Sequence, residues 1–131
     1  MISVKNINRT INSIKYKRDK VDEWKTPEDF KKNGGDCEDF AIAKYFELEK
    51  QGHDITETEF AYCELNGQAH MVLLHEGTVL DNTTNDIKPL DERKDIKVIY
   101  KFNKDYISLN GKKHKNNIAK WNDLMSRMDL A

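Results

Sequence analysis

Cysteine and proline are scarce in this chain, two of each among 131 residues, so neither a disulfide framework nor a proline-rich low-complexity segment organises it. An excess of charge of one sign is also lacking. The formal net charge is −1, which argues against a general nucleic-acid binder. Two locally basic stretches, Lys15, Lys17, Arg18 and Lys20 near the start and Lys112, Lys113 and Lys115 near the end, read as solvated faces. No apolar run is long enough to span a bilayer, and the first residues lack the charged-then-apolar order of a secretory leader. The expectation is no membrane insertion, with the chain cytoplasmic as it stands or periplasmic after loss of a leader. No internal repeat is visible, and nothing in the sequence sets an oligomeric state.

What is present suits one folded unit. With 37% hydrophobic and 34% charged residues, a single domain over 1–131 can bury a core without metal or disulfide staples. Ser3 caps a first helix whose stripe is Val4, Ile7, Ile11 and Ile14. Thr26-Pro27-Glu28-Asp29 begins a short second helix, with Thr26 as N-cap, Pro27 at the first helical position and Asp29 as the capping-box acid; it stops at Asn33-Gly34. A third helix runs from Asp36 to Gly52 with apolar residues around much of its circumference, as a central helix requires. Phe60 to Leu65, Gln68 to His75 and Thr78 to Asn82 are β-prone runs separated by Asn66-Gly67 and Glu76-Gly77, which predicts an antiparallel meander. Asp86 to Asp95 reads as a polar loop around Pro89, Ile96 to Phe102 as a strand, and Tyr106 to Leu109 as a last strand before the turn Asn110-Gly111. Ile118, Trp121, Met125 and Met128, with Leu124, form the stripe of a C-terminal helix. The fold class is α+β, helices first and an antiparallel sheet after them.

Chemistry gathers at Gly34-Gly35-Asp36-Cys37-Glu38-Asp39, where Cys37 occupies the first turn of the central helix. Unpaired N–H groups and the positive dipole end favour a thiolate there and can receive an oxyanion. A nucleophile needs a base and a group that orients the base. A two-residue turn at Glu76-Gly77 sets His75 opposite Thr78, Val72 opposite Asp81 and His70 opposite Thr83, so His70 and Asp81 become diagonal neighbours on one face. His75 falls on the other face, and His53 and His114 read as surface residues. Cys63, in the apolar run Phe60-Ala61-Tyr62-Cys63, reads as a small buried side chain, and both cysteines are expected to be free.

Several positions have two readings. Asp36 and Glu38 oppose ionisation of the thiol between them; they either point away while capping the helix or hold a Ca²⁺ ion with hard oxygens. Trp24 is either an indole N–H donor to the oxyanion or a buried aromatic anchor. Asn82, beside Asp81, is either a cleft residue or the opening of a turn.

Trp24-x-Thr26-Pro27-x-x-Phe30, the block from Gly34 to Tyr45, Ala69-His70-Met71-Val72-Leu73 and Val79-Leu80-Asp81-Asn82 together resemble the bacterial transglutaminase-like cysteine proteinases, whose LapG-type members release surface adhesins. The resemblance spans about Val4 to Phe102. It implies a papain-like, transglutaminase-type fold, a Cys37-His70-Asp81 triad working through a thioester, a protein or peptide substrate, and calcium held by Asp36 and Glu38, with no organic cofactor. The function expected is that of a cysteine peptidase. Amide transfer on the same fold and a catalytically silent peptide-binding module are the alternatives.

Overall fold

Glu76 and Gly77 both adopt positive φ, 51° and 78°, the backbone of a two-residue hairpin turn whose twist matches the strands it joins. Asn66-Gly67 and Asn110-Gly111 repeat the pattern. These turns divide the second half of the chain into short antiparallel strands, and helices precede and follow them. The computed structural model describes residues 1–18 and 23–129; Lys20 of the first basic stretch lies outside the described residues.

The helices are α1 (Val4–Asn12), α2 (Pro27–Asn33), α3 (Cys37–Lys50) and α4 (Ala119–Asp129). Ser3 caps α1 through its hydroxyl to the Asn6 N–H at 3.2 Å. Ile7 and Ile11 are buried, while Ile14 lies past the end of the helix and packs at the edge of the core. Thr26 caps α2 as expected, its Oγ1 accepting from the Asp29 N–H at 3.2 Å. The carboxylate of Asp29 instead accepts from Asn33 Nδ2 at 2.6 Å, one turn along the helix.

The strands are β1 (Glu59–Leu65), β2 (Gln68–His75), β3 (Thr78–Asp81), β4 (Thr84–Pro89), β5 (Ile96–Phe102), β6 (Tyr106–Leu109) and β7 (Lys112–Lys115). They form one sheet in the order β4-β3-β2-β1-β5-β6-β7, with antiparallel neighbours throughout. Two elements differ from expectation. Much of the polar stretch 86–95 is structured, as β4 followed by a 3-10 turn at Leu90–Glu92. Lys112–Lys115 adds an edge strand whose side chains are all exposed, a device that discourages pairing with another chain.

One face of the sheet carries Phe60, Met71, Leu73, Leu80 and Phe102 against the helices, where Phe40, Ile42, Tyr45, Leu48, Trp121 and Leu124 complete the core. The opposite face carries Ala61, Cys63, Val72, Leu74 and Val79, covered in part by Leu90, Ile96 and Val98. Alternation along β2 therefore separates two packed layers, and α3 lies directly against β2 and β3.

Candidate active site

The entrance of α3 is built from close packing. Gly34 has φ 78°, and a Cβ there would collide with the Lys15 carbonyl. A Cβ on Gly35 would collide with the side chain of Asp39. Two glycines in succession thus let the chain pass between the 15–17 segment and the first turn of α3, where the Lys17 N–H donates to the Gly35 carbonyl at 2.8 Å. Asp39 is buried, with Oδ2 accepting from the Asp36 N–H at 3.1 Å and Oδ1 from the Lys25 N–H at 2.8 Å. Cys37 is consequently held at the first helical position, half-buried and free.

The sulfur of Cys37 meets the backbone N–H groups of Met71 and Glu38. Met71 follows His70 in β2, in the part of the strand that β3 does not cover, since the β2–β3 pairing begins at Leu73. The end of β3 opens the strand edge to the N-terminus of α3. Burial is the largest influence on the thiol and pushes its pKa up to about 12; the Glu38 and Asp36 carboxylates push in the same direction, and the two N–H groups oppose them. Burial therefore outweighs the helix terminus here and favours the thiol over the thiolate.

The register expected from the Glu76-Gly77 turn is the observed one: His75 pairs with Thr78, Leu74 with Val79 and Leu73 with Leu80. It places His70 Nε2 2.8 Å from Asp81 Oδ1. A carboxylate can only accept, so the imidazole proton is on Nε2 and Nδ1 is left with a lone pair. The Asp81 side chain is 0% exposed, and all of its acceptor directions are used. Oδ1 also accepts from the Thr83 N–H at 3.1 Å, and Oδ2 accepts from Thr83 Oγ1 at 2.8 Å and from Arg93 Nη2 at 3.0 Å. Burial alone would raise the pKa of Asp81, but the hydrogen bonds from His70 and Thr83 hold it well below the usual carboxylate range.

His75 is on the face opposite His70, as alternation predicts, and is buried, with Nδ1 2.7 Å from Thr58 Oγ1. Trp24 is a core aromatic stacked on Phe102, centroids 5.7 Å apart. Asn82 is half-buried, and its Oδ1 has no hydrogen-bond partner among the described residues. Asp36 Oδ1 is likewise buried without a partner, an atom that a cation would satisfy. Asp36 and Glu38 supply hard oxygen donors, which suit calcium, although no group of three or more His, Cys, Asp or Glu among the described residues is arranged to hold a metal ion. The residues fit a calcium ion as two donors of a larger set.

Three residues of the site escaped sequence reasoning. Thr83 and Arg93 complete the shell of Asp81. Lys44, fully buried two turns along α3 from Cys37, has no hydrogen-bond partner for Nζ among the described residues. Burial lowers its pKa to about 7, with Asp81 working against the shift. Helical spacing from Cys37 through Ala41 to Lys44 was the signal that put it on the inner face. Tyr16, 56% exposed, stacks on Phe40 beside this entrance.

Comparison with known proteins agrees with this geometry. A family model described as bacterial transglutaminase-like cysteine proteinase BTLCP matches residues 1–127. Among solved structures, Legionella pneumophila LapG is similar at 34% identity with a TM-score of 0.88, over 95% of this chain and 75% of that one. Its EGTA-treated form matches at 33% identity and 0.87, over 95% and 77%, and its calcium-bound form at 33% and 0.85, over 95% and 78%. No curated protein sequence matches.

Proposed function

The chain belongs to the bacterial transglutaminase-like cysteine proteinase family, and from that premise we propose that it is a peptidase using Cys37, His70 and Asp81 as a catalytic triad on a protein or peptide substrate. The observation that carries the reading is the 2.8 Å bond from His70 to Asp81, made one residue before the Met71 N–H that meets the Cys37 sulfur.

In the reaction, Nδ1 of His70 takes the proton from Cys37, and Sγ forms a bond to the scissile carbonyl carbon. The electron pair moves onto the carbonyl oxygen, where the Cys37 backbone N–H at the start of α3 is one donor to the oxyanion. Collapse of this intermediate breaks the C–N bond; the His70 imidazolium gives its proton to the departing amine, leaving a thioester on Cys37. His70 then takes a proton from water as the hydroxide adds to the thioester, and a second collapse returns the thiol and releases the carboxylic acid. Asp81 holds the tautomer of His70 and stabilises the imidazolium that forms twice in the cycle. Because burial favours the thiol, the proton passes to His70 as Sγ attacks the carbonyl carbon.

Asp36 and Glu38 are the residues that would hold Ca²⁺, by analogy with the calcium-bound form of the Legionella protein. The ion supplies positive charge beside two carboxylates that otherwise oppose the thiolate. The test is cleavage of an unbiased peptide library by the full chain and by Cys37→Ala. The proposal requires products from the first and none from the second.

A further inference from the structure

Arg93 lies twelve positions from Asp81 in sequence, in the segment between the Leu90–Glu92 turn and β5, and the triad as described makes no use of it. Its guanidinium is 10% exposed. Nη2 donates to Asp81 Oδ2 at 3.0 Å and to Asp95 Oδ2 at 3.1 Å, and Nε donates to Asp95 Oδ1 at 3.0 Å. The Asp95 end is a two-point clamp that fixes the plane of the group. The Asp81 end occupies the carboxylate oxygen that His70 does not use.

We propose that Arg93 is a positioning residue for the triad: clamped by Asp95, it holds Asp81 with Oδ1 turned toward His70 and shares the negative charge that His70 would otherwise receive alone. The inference rests on the triad reading of the preceding section. It has two consequences. Asp81 cannot rotate about its terminal bond without breaking a charge-assisted hydrogen bond, so the His70 ring keeps one orientation. The imidazolium of His70 also meets a carboxylate already tied to a second cation, so its acceptor stays in place each time the imidazolium forms.

Charged and titratable groups reach this pair from several elements, β4 among them, whose Asp86 and Lys88 line a pocket with Thr83, Arg93 and Asp95. Asp81 itself is on β3, Cys63 on β1 opposite His70, Lys44 and Cys37 on α3, and Arg93 with Asp95 on the segment entering β5. Removing Arg93 takes away a positive charge and leaves Asp81 with one ionic partner fewer, free to turn its Oδ1 away from His70.

The experiment follows the His70 Nε2–H bonded to Asp81 by NMR in the 131-residue chain carrying Cys37→Ala, comparing Arg93 with Arg93→Lys, Arg93→Gln and Arg93→Met. Arg93→Gln keeps an amide donor for Asp81 Oδ2, so the charge loss is read in a folded protein even where Arg93→Met does not fold. The expected result is a displaced and broadened His70 Nε2–H resonance in the Gln and Met variants, as the ring loses its single orientation, and little change in Lys. In the Cys37 background, Arg93→Gln lowers kcat about 10-fold or more on a fluorogenic peptide taken from the library, with KM unchanged, and Lys restores most of it. An unmoved His70 Nε2–H resonance in folded Arg93→Gln overturns the proposal, as does an equal displacement in Arg93→Lys. Both outcomes differ from failure of the triad itself, which Cys37→Ala reports by retaining cleavage.

Discussion

His70 Nε2 and Asp81 Oδ1 are 2.8 Å apart, and the bond spans the end of a hairpin whose last paired residues are Leu73 and Leu80. The two side chains meet just beyond the regular ladder, where β3 stops and leaves the edge of β2 open to the N-terminus of α3. The termination of one strand thus exposes the strand edge to the thiol and leaves the acid room to gather four hydrogen bonds.

Asp81→Asn changes both activity and stability. It removes the charge that stabilises the imidazolium and puts an NH2 donor where one of the two acceptor oxygens was, so that the His70 tautomer is no longer fixed, and it lowers kcat by about 10²–10⁴-fold. It also leaves Arg93 facing a neutral group, at a cost of about 3 kcal/mol near pH 7. The pKa of Asp81 is depressed in the folded chain, so its contribution is fully present above the ordinary carboxylate value and is lost as pH falls through the folded one. Urea titrations should show the wild type more stable at pH 7 and the gap closing below about pH 4. A gap independent of pH would contradict the assignment.

Lys44→Met is expected to stabilise the fold, with the opposite pH dependence. The buried amine has its pKa lowered from 10.5 to about 7, so the unfolded chain binds the extra proton between those values. The penalty is fully present below pH 7 and relieved as pH rises toward 10.5. At roughly 1.4 kcal/mol per unit, the 3.5-unit difference sets an upper bound of roughly 5 kcal/mol. Thermal melts at pH 6 and pH 10 check this: the Met variant should gain most at pH 6, and a gain that grows toward pH 10 would refute the burial argument.

How far the sequence reveals this arrangement depends on where the information is local. Ser3, Thr26 and the Asn-Gly and Glu-Gly turns act within four residues of themselves, so α1, α2 and the β2–β3 register were readable, and with the register came His70 and Asp81. Thr84–Pro89 was not, because this outer strand has both faces largely exposed and ends in Pro89, leaving no alternation to detect. Lys112–Lys115 carries no apolar residue at all. Arg93 was invisible for another reason: nothing near it in sequence marks it, and its contact with Asp81 arises only when the chain returns toward β5. The helix position of Cys37 was legible, but its desolvation, which decides the sign of the pKa shift, depends on packing against β2.

Gly35→Ala tests the packing that aims Cys37. Its methyl group would strike Asp39, whose carboxylate ties Lys25 and Asp36 to the helix start. The expected loss is about 2 kcal/mol in chemical denaturation, with a larger proportional fall in cleavage rate. Wild-type stability in this variant would show that the close approach is not needed.

Calcium is checked without reference to turnover. If Asp36 and Glu38 hold the ion, the melting temperature in millimolar CaCl₂ exceeds that in EGTA by several degrees, and Asp36→Asn removes the difference. Identical melting curves for the wild type would leave Asp36 as a helix cap alone.

The central claim is that Cys37 is the nucleophile of a peptidase, and mass-spectrometric profiling of a peptide library tests it most directly. The full chain in CaCl₂ should generate new termini at a restricted set of peptide bonds, while Cys37→Ala, with a melting temperature matching the wild type, should generate none. The same products from Cys37→Ala would contradict the account.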